Sequence, residues 1–117
     1  MLLIGIFTLV LSLHSVRAES FELVVQDAEI VPAVAEVGEL VSVNLTIKNC
    51  GNNTTSCEVT TFCGDYIVGI QEISNAAPKD GFSLSFKLDT SNLAAGVYSI
   101  EALIRKPSDE QKIFDLG

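Results

Sequence analysis

The sequence has no tryptophan, and its single histidine is His14, inside an apolar N-terminal stretch. Beyond residue 18 there is therefore no imidazole to serve as a general base. Ser-His and Cys-His nucleophile pairs cannot be assembled there. A four-ligand zinc site would need a fourth donor beyond three cysteines, and no C-x₂-C pair exists. Gly-rich phosphate loops and D-x-D-x-D-G calcium loops are also missing. Basic residues are few: seven Lys and Arg against fifteen Asp and Glu, a net charge of −8. Such a surface repels phosphate backbones and anionic lipid, which argues against nucleic acid and against membrane adhesion by charge. No cofactor or metal is expected.

Hydrophobic residues make up 48% of the 117 positions, but only one run is long. Leu2 to Leu13 is almost unbroken apolar sequence, and Val16-Arg17-Ala18 follows with the small residues a signal peptidase reads. The run has signal-peptide length and is short for a bilayer span. Residues 1–18 are expected to be a signal peptide, and residues 19–117 a single domain. Export implies a secreted or cell-surface location.

The rest reads as short β segments between turn signals. Phe21 to Val25 is apolar, and Ile30-Val31-Pro32 marks an edge or crossover because proline lacks a ladder donor. Val41, Val43, Leu45 and Ile47 alternate with Ser42, Asn44, Thr46 and Lys48, which puts one face in a core and one in water. Strands are expected at 58–62, 66–70 (extending to 73), 82–88, 97–104 and 112–116, with one helical turn at 91–94. Seven or eight short strands at such spacing, without an amphipathic helix, indicate an all-β antiparallel sandwich of immunoglobulin-like type. Tyr98 follows a glycine-ended connection, as in a tyrosine corner, where the hydroxyl bonds back to the preceding loop. A plain core tyrosine is the alternative.

Asn49-Cys50-Gly51, closing the strand 41–48, resembles the v-x-v-x-N-x-G segment of the CARDB family of immunoglobulin-like surface modules. Leu23-Val24-Val25, Gly38, Gly64-Asp65, Phe82 to Leu88 and Gly96-Val97-Tyr98-Ser99-Ile100 follow in matching order. The resemblance implies a cell-adhesion-related role. Two departures stand out: no Trp near Phe86 to Leu88, and Arg105-Lys106-Pro107-Ser108 where an acidic ending is usual.

Cys50, Cys57 and Cys63 fall within 14 residues. In an exported protein they are disulfide candidates. Cys57 and Cys63 lie on one strand, roughly 20 Å apart at ~3.3 Å per residue, beyond bridging distance. A Cys50–Cys57 bridge is expected; a bulge at Phe62 or Tyr66 would let Cys63 reach Cys50 instead. Cys63 then remains as an unpaired or intermolecular thiol, or as a small buried hydrophobe. Asn44, Asn52 and Asn53 each begin an N-glycosylation sequon.

These features favour a non-enzymatic binding or adhesion module whose partner is a protein or glycan at the cell surface, or the chain itself. The loops 49–56 and 75–81 are the expected contact surfaces. Two alternatives stay open: a self-assembling filament subunit using terminal-strand exchange, and an inhibitor of a secreted enzyme.

Overall fold

The computed structural model describes residues 21–117. The expected signal peptide lies outside them. Seven strands form two antiparallel sheets: β1 (Leu23–Val31), β2 (Leu40–Asn49), β3 (Thr55–Cys63), β4 (Tyr66–Ala76), β5 (Gly81–Asp89), β6 (Ile100–Arg105) and β7 (Gln111–Asp115). The three-stranded sheet has the order β1-β2-β5, and the four-stranded sheet the order β4-β3-β6-β7. Splitting consecutive strands between two sheets in this way is an immunoglobulin-like sandwich, as the strand count and spacing imply.

The alternating strands bury the faces the sequence assigns. Val41, Val43, Leu45 and Ile47 of β2 meet Phe86 and Leu88 of β5, and Val59, Ala102 and Ile104 of the other sheet. Burying such side chains supplies roughly 1.5–3 kcal/mol each before entropy is counted.

Strand ends shift by a few residues throughout, and three differences have a local cause. The segments 21–25 and 30–32 are one strand, β1, broken in register between Val25 and Asp27. The bulge adds one residue, so Leu23 and Val25 and then Ala28 and Ile30 all lie on the core side. A strict period of two reads that frame change as two pieces. Second, β6 begins at Ile100 rather than Val97; Val97 is 96% exposed and Tyr98 stands outside the sheet. The Tyr98 hydroxyl donates to the Ala94 carbonyl at 2.5 Å, and that bond keeps the segment looped. Third, the helical turn is a 3-10 turn at Thr90–Asn92, one residue earlier than expected, because Asp89 caps it by accepting from the Ser91 amide. The β3–β4 turn places Gly64 at φ +62, the first central position where a two-residue II′ hairpin turn needs glycine.

Candidate functional site

The two ends of the sandwich are built differently. One end is closed around Asn49, the last residue of β2, which is fully buried. Its Nδ2 donates to the carbonyls of Asn53 (2.9 Å) and Ala76 (3.0 Å), and its Oδ1 accepts from the Gly51 amide (2.9 Å). Its backbone accepts from Lys79 and donates to Asp80. One side chain thus ties the β2–β3 loop to the end of β4, and its amide group is satisfied on both sides. A Cβ on Gly51 would come within 2.9 Å of the Glu22 Cβ. The N-x-G segment therefore has a structural cause: the asparagine latches the end and the glycine leaves room for β1. Lys106 adds a second fastening. Its ammonium bonds Glu22 at 3.0 Å and Glu110 at 2.7 Å, and lies 5.2 Å from the centre of the Phe21 ring.

Charge at this end follows from those contacts. The Glu22 carboxyl is held below its ordinary value, first by a backbone hydrogen bond and then, against the opposing effect of burial, by Lys106. Burial pulls the Lys106 ammonium down, but its bonds to Glu110 and Glu22 outweigh that and raise it.

The opposite end is open. An apolar cleft of about 930 Å³ lies between the β1–β2 connection and the β5–β6 connection. Its floor is the end of the core: Val41, Cys63, Leu88 and Ile100. Its walls carry Val34, 89% exposed, Val37, and Val97. Each wall is braced. Thr90 Oγ1 accepts from the Gly38 amide and donates to the Glu39 carbonyl, both at 2.8 Å, and the Tyr98–Ala94 bond stiffens the facing wall. The segments 32–39, 64–65, 89–99 and 115–117 that frame this end contain five carboxylates and no Lys or Arg. The cleft is thus apolar inside and acidic around its rim. Ligand sites are commonly of this size and lining.

The cysteines divide between these environments. All three are free thiols. The Cys50–Cys57 bridge expected from sequence is not formed: Cys57 points into the core opposite Ile73, while Cys50 is exposed in the loop with its amide on the Glu22 carbonyl. Burial pushes the Cys57 thiol up to about 11 and raises Cys63 as well, so both stay protonated and unreactive near neutral pH. Cys63 is buried in the cleft floor.

Of the sequon asparagines, Asn44 lies on the outer face of β2 with its Oδ1 accepting from Ser85, and Asn52 and Asn53 are exposed on the β2–β3 loop. That loop and 75–81, the contact surfaces expected from sequence, meet at the closed end and are fastened to each other. The cleft residues were missed because their connections carry no motif. The available signal was two apolar residues, Val34 and Val37, in the β1–β2 connection; Val97 was hidden by its place in the expected strand 97–104.

Glu58 and Glu72 face each other across β3 and β4, and Arg105 bonds Glu58 at 2.9 Å. They lie on an open sheet face beside a shallow notch of about 260 Å³. Among the described residues no three His, Cys, Asp or Glu side chains cluster as metal ligands.

No protein-family model matches the sequence. No curated protein matches it. Among solved structures, the CARDB domain of a Pyrococcus furiosus protein, determined in complex with di-metal ions, superposes with a TM-score of 0.62 at 21% identity, covering 85% of this chain and 96% of that one. A β-glucosidase involved in saponin metabolism in intestinal bacteria superposes with a TM-score of 0.52 at 15% identity over 81% of this chain, which spans 16% of that enzyme. These identities establish likeness of fold. The chain resembles a CARDB domain along nearly all of that domain's length: it is an immunoglobulin-like module with the CARDB strand arrangement.

Proposed function

We propose that the chain is a non-catalytic binding module, secreted or displayed at the cell surface, that takes an apolar protein segment in its open end. The braced apolar cleft with an acidic rim carries this reading. A side chain leaving water for such a cleft gains free energy in proportion to the apolar area covered. Lys or Arg flanking the segment would meet the rim carboxylates and speed encounter. A glycan fits less well. Sugar recognition uses many directed polar groups, while here the one aromatic hydroxyl, on Tyr98, is already spent on Ala94.

Catalysis has little support. The facing carboxylates Glu58 and Glu72 sit on an open sheet face, with Arg105 neutralising one of them. Export makes the sequons at Asn44, Asn52 and Asn53 candidate glycan carriers that leave the open end uncovered.

The test is a titration of the isotopically labelled protein with a synthetic eight-residue peptide, apolar in its centre and lysine-flanked at both ends. The expected result is amide shift changes at 33–37 and 93–98, with at least tenfold weaker binding by Val97→Asp. Shifts confined to 50–54 and 77–80, or none at millimolar peptide, would overturn the assignment.

A further inference from the structure

The outer faces of the two sheets differ sharply. On the three-stranded sheet the outward positions of β2 are Ser42, Asn44, Thr46 and Lys48, opposite Lys87, Ser85, Ser83 and Gly81 of β5. Several bond to each other: Ser85 to Asn44 and Lys87 to Ser42, both at 2.8 Å. That face is finished as a water-facing surface.

On the four-stranded sheet the register stacks a different pattern. Ile70 of β4 pairs with Thr60, Thr60 with Leu103, and Leu103 with Ile113 of β7, so one outward row crosses every strand and is apolar apart from the Thr60 hydroxyl. Ile70 is 55% and Ile113 59% exposed. The next row toward the open end adds Ile67, 51% exposed, and Phe62, followed by Glu101 and Asp115. The row on the other side is Glu72, Glu58, Arg105 and Gln111. Contiguous exposed apolar surface of this kind marks an interaction face.

We infer that this face packs against the same face of a second copy of the chain, in a two-fold dimer whose axis lies along the Ile70–Ile113 row. The charge pattern of the β6–β7 half of the face favours this occupant, while on the β3–β4 half the two-fold rotation lays the stems of Glu58 and Glu72 over Phe62 and Ile67 of the second copy. Rotation about that row lays the apolar row on itself and exchanges the rows on either side. Arg105 then falls over Glu101 of the second copy, and Gln111 over Asp115 of the second copy, twice each by symmetry. Strands of face-packed sheets stay within about 30° of each other, which keeps these pairs in register near the axis. Four strands at ~4.8 Å spacing and about 25 Å of strand length give a footprint of roughly 500 Å² per subunit. That is below the roughly 800 Å² per partner typical of stable complexes, so a weak, concentration-dependent dimer is expected. The open cleft stays free, because it lies at the end of the sandwich rather than on this face.

Sedimentation velocity of the purified chain across the micromolar-to-millimolar range, in reductant, tests the dimer. A concentration-dependent dimer is expected. Ile70→Lys and Ile113→Lys should each weaken it at least 100-fold without changing the melting temperature, since both side chains already face water. Ser83→Lys, on the polar sheet, should leave it unchanged. Arg105→Glu should weaken it about tenfold, and Glu101→Arg added to Arg105→Glu should restore it. A monomer throughout the range, a dimer indifferent to both lysines, or a charge swap that fails to rescue would each overturn the proposal.

Discussion

The two ends of the same sandwich solve the problem of chain reversal in opposite ways. At the Asn49 end, polar groups of the loops are turned inward and paired, and the core is sealed. At the Cys63 end, Thr90 ties the β5–β6 connection to the β1–β2 connection, the Gly64 amide donates to the Ser99 carbonyl, and an apolar cleft lies between the connections above the end of the core. Sealing one end lets the other stay open. The strands are anchored where the Asn49 side chain ties the end of β2 and the β2–β3 loop to the end of β4, and the connections at the other end hold a cleft. Stability should therefore concentrate at one end and recognition at the other.

Asn49→Ala is the strongest way to break that division. It strips two carbonyls and one amide of their partner inside a buried site, and should cost about 3 kcal/mol in urea unfolding. A loss under about 1 kcal/mol would show that water replaces the latch and that the ends are alike.

Lys106→Met should cost about 1 kcal/mol, because the ammonium is shielded but its carboxylate partners are partly exposed. Its pH dependence has two arms. Glu22 has a lowered folded pKa, so its contribution is present above the ordinary value of 4.5 and is lost as pH falls through the folded value. Lys106 has a raised one, so its contribution is complete below 10.5 and is lost as pH rises through the folded value. Thermal melts of the wild type should fall at both extremes, and Lys106→Met should flatten the alkaline arm.

At the open end the effects should be smaller. Tyr98→Phe removes a bond that water can replace, and should cost about 0.5 kcal/mol. Val97→Ser should change stability by less than about 0.5 kcal/mol, since the side chain already stands in water, while weakening cleft binding. If Val97→Ser destabilised the fold as much as Asn49→Ala, the open end would be part of the core.

Much of the fold was legible in particular residues. The alternation from Val41 to Ile47 and from Phe82 to Leu88 defined a pair of strands and their buried faces, because a pleat has a fixed period of two. β1 was not legible as one strand, since its bulge changes the frame between Val25 and Asp27. Nor was the start of β6, since Val97 and Tyr98 continue the alternation but are looped out by a bond to Ala94. The N-x-G segment was noticed without its reason; Ala76, 27 positions away, supplies it.

By itself, the sequence determined the composition of strands and turns, the scarcity of catalytic side chains beyond His14, the acidic balance and the sandwich class. These are local or additive properties, readable without knowing what lies across from what. The tertiary structure decided which end is sealed and which is open, where each thiol points, and that Ile70, Leu103 and Ile113 form one row. Each of those depends on partners brought together by register and sheet packing from distant parts of the chain, and no local pattern encodes that pairing.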